Sequence, residues 1–277
     1  MRVDFTKMHG LGNDFIVFEA PAAAPQLAPE QWRALADRHR GIGFDQALVI
    51  EPPRHAGTAA FYRIFNADGI EVEQCGNGAR CIAELLRIKG RVPEGSVQME
   101  SPGGLVHARL PGNGIVAVDM GVPDFSPAAS AFEPRGIVGT DYELDIDGQT
   151  VRFGVVSMGN PHAVIRVPTV MAAPVAHLGP LLEHHAAFAR RVNVGFMQVL
   201  TRNHIRLRVF ERGVGETQAC GTGACAAVAI GRRDGLLDPQ VTVSLPGGDL
   251  SVRWQGEGEP LWLEGPATVS FTGQFDI

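Results

Sequence analysis

The sequence predicts an α+β fold of two pseudo-symmetric domains that arose by duplication, each a mostly antiparallel sheet wrapped around a central helix. Two observations predict it: short motifs recur in the same order at a nearly constant offset, and a helical pattern follows the same motif in each half. Of the 277 residues, 45% are hydrophobic and 19% are charged, as in ordinary globular domains. A chain of this length has room for two domains.

Three motifs of the first half return in the second half. The offset is 145 residues for the first two motifs and 144 for the third, far too long for a solenoid repeat, so each copy is expected to be a domain. The matched segments are RIFN at 63–66 with RVFE at 208–211, QCGNGA at 74–79 with ACGTGA at 219–224, and SPGG at 101–104 with LPGG at 245–248.

A boundary between the two halves is predicted where glycine and proline interrupt the pattern. Gly121, Pro123 and Pro127 lie close together there. We therefore expect domains at residues 1–120 and 121–263, with the active site in the cleft between them. The C-terminal strand, at about 264–277, is expected to join the first domain.

Each half repeats the same order of elements. An early helix is predicted at 30–39 and its counterpart at about 178–189, from apolar residues that share one helical face. Residues 204–210 alternate polar and apolar side chains, which is typical of a half-buried strand. A second helix is predicted after Cys75 and after Cys220, ending at Gly90 and Gly235. Short strands with Pro-Gly-Gly turns should follow at 97–110 and 241–254.

Charge and hydropathy exclude several kinds of partner. The net charge is −6, and the longest basic runs are pairs of arginines, so no nucleic-acid surface is expected. No stretch of 18 apolar residues predicts a membrane span, and the first residues lack a signal-peptide pattern. We expect a cytoplasmic protein. Its four cysteines are too few for a disulfide scaffold and are expected to be thiols.

The two Cys-Gly-x-Gly motifs carry the chemistry. Glycines permit a tight turn into a helix, whose first N–H groups and dipole together bind anions. A helix N-terminus can lower the pKa of a cysteine at that position toward the working range. Cys75 and Cys220 can then remove and return a proton on opposite faces of a carbon next to a bound carboxylate, which inverts a stereocentre without a cofactor.

Other interpretations of the cysteines stay open at this point. Cys81 and Cys225 fall inside the predicted helices and are expected to be buried thiols. The spacings are Cys-x5-Cys and Cys-x4-Cys, and the second cysteine of each pair falls in mid-helix, whereas structural zinc sites prefer two to four intervening residues in a knuckle. No Cys-x-x-Cys redox motif is present. A thiol redox or zinc module and a non-catalytic carboxylate-binding protein are the alternatives from other classes.

At these residues the sequence resembles the diaminopimelate epimerases, which act without a cofactor in lysine and peptidoglycan precursor biosynthesis. The resemblance covers essentially the whole chain. It is carried by KMHGLGNDF at 7–15, GIGFDQ at 41–46, FNADG at 65–69, QCGNGARC at 74–81, SMGNPH at 157–162, RVNVGF at 191–196, ERG at 211–213 and TQACGTGAC at 217–225. Another racemase or isomerase of this superfamily that needs no pyridoxal phosphate is the nearest alternative.

The resemblance implies a role for each matching residue. Cys75 and Cys220 would be the acid and base that interconvert the LL and meso forms of 2,6-diaminopimelate. Glu211 would hold the ammonium group at the reacting centre, and His162 and Glu211 would tune the pKa of the thiols. The implied substrate-binding residues are Asn13, Gln46, Asn66, Gly76, Asn77, Asn160, Asn193, Glu211, Arg212, Gly221 and Thr222.

Two positions depart from the family pattern. Thr222 stands where serine is common, and a backbone N–H contact survives that change. Phe271 stands where a tyrosine associated with dimerisation is common, so the aromatic ring remains and the hydroxyl is lost. The resemblance still implies a homodimer. Diaminopimelate is the expected partner molecule, and no cofactor, metal, nucleic acid or membrane is expected.

Overall fold

A computed structural model describes residues 2–20, 27–72 and 75–276. The chain divides into two compact units, Met1–Asp119 with Glu264–Ile277, and Met120–Leu263. The C-terminal segment therefore belongs to the first unit. Each unit holds a sheet and a long buried helix.

Within residues 2–20, 27–72 and 75–119, the first unit has eight strands and two helices. Its sheet runs through β1, β2, β3, β4, β6, β7 and β8, and the short β5 also pairs with β4. The elements are β1 (Arg2–Gly10), β2 (Asn13–Glu19), α1 (Pro29–Ala36), β3 (Gln46–Glu51), β4 (Phe61–Asn66), β5 (Glu71–Val72), α2 (Gly76–Ile88), β6 (Gly95–Ser101), β7 (Gly104–Gly112) and β8 (Ile115–Asp119).

The second unit follows with the corresponding elements, and the last two strands end the chain. Antiparallel pairing of β19 with β1 attaches the C-terminal segment to the first unit. The elements are β9 (Ile137–Val138), β10 (Asp141–Ile146), β11 (Gln149–Ser157), β12 (Pro161–Arg166), α3 (Val175–Glu183), β13 (Asn193–Thr201), β14 (His204–Glu211), β15 (Gly215–Thr217), α4 (Gly221–Arg233), β16 (Gln240–Leu245), β17 (Gly248–Arg253), β18 (Trp262–Pro266) and β19 (Thr268–Asp276).

The two units share one order of strand pairing. In the first, β2–β3 is parallel, β3–β4 antiparallel, β4–β6 parallel and β6–β7 antiparallel. In the second, β12–β13, β13–β14, β14–β16 and β16–β17 repeat that order. This agreement is what duplication of a single domain produces, and the predicted α+β class is confirmed.

Each central helix is buried on nearly every side. In α2 the residues from Asn77 to Leu86 are all buried, and in α4 those from Gly223 to Gly231 are. A helix surrounded in this way belongs at the centre of a domain. The predicted stops are confirmed, since Gly90 and Gly235 have φ of 68° and 72° just beyond the helices.

Both early helices end before their predicted boundaries. The α1 helix stops at Ala36 because Asp37 turns to an extended conformation and its carboxylate accepts hydrogen bonds from the N–H groups of His39 and Arg40. The α3 helix spans Val175–Glu183 rather than 178–189, since the backbone turns after His184. Among the described residues, no helix is long and apolar enough to cross a membrane.

Substitution of Gly231 by alanine is expected to destabilise the second unit. A Cβ there would lie 2.4 Å from Leu237 Cδ1 and 2.8 Å from its Cγ. Overpacking of this kind costs about 1–3 kcal/mol in the free energy of unfolding, measurable by urea denaturation. Since the clash involves Leu237, the Gly231→Ala/Leu237→Ala double variant should lose less than the sum of the single variants. Additive losses would contradict this explanation.

Candidate functional site

Cys75 lies at the position that caps the N-terminus of α2. Its backbone is extended, with φ −149° and ψ 108°, and its carbonyl oxygen accepts the first helical hydrogen bond, from the N–H of Ala79. The N–H of Gly78 donates to Cys75 Sγ at 3.4 Å. A Cβ on Gly78 would lie only 3.0 Å from Leu48, so a glycine here lets the turn pack tightly against β3. The cysteine thiol thus stands at the electropositive end of a buried helix.

Cys220 occupies the same position in the second unit. It caps α4 with φ −119° and ψ 109°, and its carbonyl oxygen accepts from the N–H of Ala224. A Cβ on Gly223 would lie 3.2 Å from Cys220 Sγ and 3.0 Å from Val209, so the close fit of glycine beneath the thiol is repeated. The side chains of Cys81 and Cys225 lie inside the helices and are fully buried, as predicted.

Around Cys75, the first unit brings together Asn13 and Asn77. The Asn77 amide donates to Asn13 Oδ1 at 3.1 Å, and Cys75 Sγ lies 3.9 Å from the same oxygen. Asn13 is positioned by the tight turn between β1 and β2, whereas Asn77 follows Gly76 in the first turn of α2. Motifs that are far apart in the sequence therefore meet at one thiol.

Gln46 and Asn66 form a second polar pair in the first unit. They begin β3 and end β4, where they are directly opposite each other, and Gln46 Nε2 donates to Asn66 Oδ1 at 2.9 Å. The side-chain oxygen of Gln46, Oε1, is buried, and the described part of the chain supplies no donor to it. A donor such as an ammonium group or an ordered water can satisfy this oxygen.

Around Cys220, the second unit arranges a line of polar side chains. His162 Nε2 lies 3.0 Å from Asn160 Oδ1, and the Asn160 amide donates to Thr222 Oγ1 at 3.4 Å. Thr222 Oγ1 in turn lies 3.7 Å from Cys220 Sγ. His162 therefore reaches the thiol through two intervening side chains.

Glu211 is the charged neighbour of Cys220. Burial raises the pKa of the Cys220 thiol well above its usual value, and the negative charge of Glu211 and a hydrogen bond to that carboxylate raise the pKa further. The N–H of Gly223, in the first turn of α4, lowers the pKa of this thiol, but burial and Glu211 have larger effects in the opposite direction. Glu211 also accepts a hydrogen bond from Thr217 Oγ1, which holds the carboxylate at the end of the β14–β15 hairpin.

Arg212 and Asn193 lie next to this group. The Arg212 backbone N–H donates to Asn193 Oδ1 at 3.0 Å, and the Asn193 amide donates to the Pro161 carbonyl oxygen at 2.9 Å. The Arg212 guanidinium donates to the Arg190 carbonyl oxygen through one nitrogen. Asn193 thus joins β12, β13 and the hairpin into one scaffold.

The electrostatics at His162 predict a pH effect on stability. Its pKa is lowered to about 3, first by burial and then by the positive charge of Arg212. An unfolded chain protonates histidine near pH 6.5. Between these two values only the unfolded state binds the proton, so stability falls as the pH falls, by up to about 1.4 kcal/mol per pH unit.

In the His162→Gln variant this contribution is expected to be absent. Urea unfolding of both proteins between pH 7.5 and 5 measures it, since the carboxylates titrate alike in the two chains. The wild type should lose stability more steeply than the variant as the pH is lowered. Equal slopes would show that His162 is not held neutral in the folded state.

Two residues near Cys75 were missed by sequence reasoning. Asp45 accepts from the Asn13 amide at 3.0 Å, and Arg80, fully buried, donates to Asn77 Oδ1 at 2.8 Å. Both lie inside motifs quoted above. For Arg80, the available signal was its position as a charged residue in the middle of a helix that is otherwise buried.

Comparison with known proteins adds to this geometry. The family model described as diaminopimelate epimerase matches residues 5–126 and 154–270. Curated proteins named diaminopimelate epimerase from Thioalkalivibrio sulfidiphilus and Chromobacterium violaceum are 54% and 52% identical to this chain, over 100% of both partners.

Solved structures with low sequence identity share the fold. A probable proline racemase from Agrobacterium radiobacter has a TM-score of 0.71 at 18% identity, covering 99% of this chain and 93% of that one. A phenazine biosynthesis protein of the PhzF family from Bacillus anthracis has a TM-score of 0.70 at 16% identity, covering 100% of both. With the family match and about half of all residues identical in full-length relatives, this chain belongs to the diaminopimelate epimerase family.

Proposed function

We propose that this isomerase interconverts LL- and meso-2,6-diaminopimelate by proton transfer between the substrate and two cysteines, without a cofactor. The observation that carries the proposal is the repeated placement of a thiol at the N-terminus of a buried helix, at Cys75 and at Cys220. Membership of the family supplies the substrate.

In the proposed reaction the two thiols act on opposite faces of one α-carbon. One cysteine, as thiolate, takes the α-proton, and the electron pair of the C–H bond spreads into the substrate carboxylate. The other cysteine, as thiol, then gives its proton to the opposite face of the same carbon. Each turnover leaves the first sulfur protonated and the second as thiolate, so the reverse reaction uses them in exchanged roles.

Backbone amides at the two helix starts support the charged intermediate. The N–H groups of Gly76 and Asn77, and those of Gly221 and Thr222, belong to the first turns of α2 and α4, where a helix supplies no carbonyl partners. We propose that they hold the reacting carboxylate. Preorganised donors of this kind stabilise negative charge as it develops, which is commonly the largest catalytic effect.

The remaining polar residues fit a substrate with two amino-acid ends. We propose that Glu211 receives the ammonium at the reacting centre, and that His162, together with Glu211, sets the thiol pKa. The buried Gln46 oxygen supports an ammonium ligand, and Arg212 can hold a carboxylate through parallel hydrogen bonds. The other proposed substrate contacts are Asn13, Asn66, Asn160 and Asn193.

Turnover in D₂O tests this function. Incubation with LL-diaminopimelate should give the meso isomer, with deuterium at the inverted α-carbon, as read by NMR and chiral chromatography. Proline and hydroxyproline in the same assay serve as controls for the related racemases. Inversion of these imino acids in preference to diaminopimelate, or inversion without solvent deuterium, would contradict the proposal.

We further propose a homodimer in the cytoplasm, with Phe271 in the dimer interface. Phe271 on β19 is half exposed, and its ring packs edge-on against Phe5 at a centroid distance of 6.0 Å. The four cysteines are free thiols, the form that a reducing compartment maintains.

Substitution of Phe271 by aspartate is expected to weaken the dimer. Removing a central aromatic side chain from an interface commonly costs about 2 kcal/mol or more, roughly a 30-fold rise in the dissociation constant. Sedimentation velocity over a range of concentrations measures this constant. Ser270→Asp places the same charge at the neighbouring residue and is the control. A wild type that sediments as a monomer, or no difference between the two variants, would refute the proposed interface.

A further inference from the structure

Four side chains of the first unit form a hydrogen-bonded chain beside Cys75. Arg80 Nη2 donates to Asn77 Oδ1 at 2.8 Å, and Asn77 Nδ2 donates to Asn13 Oδ1 at 3.1 Å. Asn13 Nδ2 then donates to Asp45 Oδ2 at 3.0 Å. The chain runs from a buried cation in α2, across the turn between β1 and β2, to a carboxylate that precedes β3.

The charged ends of this chain fix the direction of both amides. A guanidinium can only donate, so Asn77 must turn its oxygen to Arg80 and its NH₂ group to Asn13. An ionised carboxylate can only accept, so Asn13 must turn its NH₂ group to Asp45. With both ends set, one orientation of the two asparagines makes all three hydrogen bonds.

This orientation decides which atom of Asn13 faces the thiol. Cys75 Sγ lies 3.9 Å from Asn13 Oδ1, so an oxygen acceptor stands beside the sulfur. An acceptor favours the thiol, because it can pair with S–H and repels a thiolate. An NH₂ group in its place would favour the thiolate.

Asp45 is itself held firmly. Its Oδ2 also accepts from the Asp14 backbone N–H at 3.1 Å, while Oδ1 accepts from Arg38 at 2.7 Å. Asp14 binds Arg38 through both carboxylate oxygens and also contacts Lys7. Arg38 therefore binds the Asp45 oxygen that does not contact Asn13. A substitution of Arg38 can serve as a control because it leaves the Asp45–Asn13 hydrogen bond in place.

Tyr62 and Cys81 also interact with Cys75, but neither places a charge beside the thiol at neutral pH. Tyr62 on β4 and Cys81 on α2 are electrostatically close to Cys75, and burial raises the pKa of both, so both are neutral at pH 7. Arg80, at one end of the hydrogen-bonded chain, carries a permanent charge and lies on the helix that Cys75 caps. The group beside the thiol that a substitution can reorient is the Asn13 amide.

We propose that Asp45 is a positioning residue for Cys75: by holding the Asn13 amide, it keeps an oxygen rather than an NH₂ group against the thiol. The importance of this for turnover rests on the proposed two-cysteine function. The effect on the thiol itself does not depend on substrate and is measured without it.

The test is the pH dependence of Cys75 alkylation by iodoacetamide, in a Cys220→Ala background, with the labelled peptide identified by mass spectrometry. In Asp45→Ala, only the hydrogen bond from Asn77 still holds the Asn13 amide, so the Asn13 NH₂ group turns towards the sulfur in part of the molecules. The midpoint of the profile should then fall by about 0.5–1 pH unit. Arg38→Gln removes the ion pair but keeps the Asp45–Asn13 hydrogen bond, so its midpoint should match that of the Cys220→Ala parent.

A rescue variant separates hydrogen bonding from charge. In Arg38→Gln/Asp45→Asn, no guanidinium competes for the amide oxygen at position 45, which can again accept from Asn13, and the parent midpoint should return. An unchanged or higher midpoint in Asp45→Ala, an equal shift in Arg38→Gln, or failure of the rescue would each overturn the proposal. Lack of epimerisation by the wild type would instead refute the proposed function and leave these midpoints unaffected.

Discussion

Replacement of either Cys75 or Cys220 by alanine is expected to reduce epimerisation of LL-diaminopimelate by at least about 10³-fold. A positioned general acid or base contributes roughly 10²–10⁴-fold, and inversion needs both, because the proton must arrive on the face opposite to the one it leaves. The measurement is kcat/KM in each direction, followed by chiral chromatography.

The chain provides its own matched controls for this prediction. Cys81 and Cys225 are also cysteines of α2 and α4, but both are fully buried within the helices. Cys81→Ala and Cys225→Ala should retain epimerisation, apart from a loss of stability due to the cavities created. Normal turnover by Cys75→Ala or Cys220→Ala, or an equally large loss in the control variants, would contradict the two-thiol mechanism.

The duplication could be predicted because it leaves local marks on the sequence. Both Cys-Gly-x-Gly segments are followed by a helical pattern and then by a glycine stop, and the helices Gly76–Ile88 and Gly221–Arg233 follow that pattern. The ends of α1 and α3 were less predictable. At Asp37 a side chain competes for backbone N–H groups, and this overrides the apolar periodicity.

At the site, too, some features follow from neighbouring residues in the sequence, and others follow only from the tertiary structure. The position of both thiols at helix starts follows from a few consecutive residues. The contact of Asn13 with Asn77, and its hold by Asp45, depends on how β1, β2 and α2 come together in three dimensions. No spacing in the sequence encodes those contacts, so Asp45 and Arg80 were overlooked even though they lie within recognised motifs.

The thiol environments were also beyond prediction from sequence, because burial competes with the helix dipole. The dipole effect acts over the first turn of a helix and has a similar sign at both cysteines. Burial and the neighbouring carboxylate depend on the tertiary structure. At Cys220 these two outweigh the dipole and raise the thiol pKa.

The Glu211→Gln substitution is expected to have two separable effects. Removing the negative charge should lower the pKa of the Cys220 thiol, since Glu211 raises that pKa both through its charge and through a hydrogen bond. The substitution should also weaken the proposed interaction with the substrate ammonium group. Loss of one partner from a buried charge pair costs about 2–5 kcal/mol, so kcat/KM should fall by roughly 30-fold or more.

The two effects are measured independently. Alkylation of Cys220 in a Cys75→Ala background reports the thiol pKa without substrate, and steady-state kinetics report binding and turnover. Glu216→Gln is the matched control, since Glu216 lies on the same hairpin but pairs with Arg208 through both carboxylate oxygens. A Cys220 profile that stays unchanged in Glu211→Gln, or shifts equally in Glu216→Gln, would contradict the assigned role.

The two duplicated units differ at the residue that corresponds to Glu211. Asn66 ends β4 at the position where Glu211 ends β14, so the carboxylate that raises the thiol pKa in the second unit has an uncharged amide as its counterpart in the first. Asn66 pairs with Gln46, whereas Glu211 pairs with Thr217. Because only the second unit carries a carboxylate at this position, Glu211→Gln should lower the alkylation midpoint of Cys220 and leave that of Cys75 unchanged. A Cys220 midpoint that stays in place while that of Cys75 moves would show that Glu211 does not act on the thiol of its own unit.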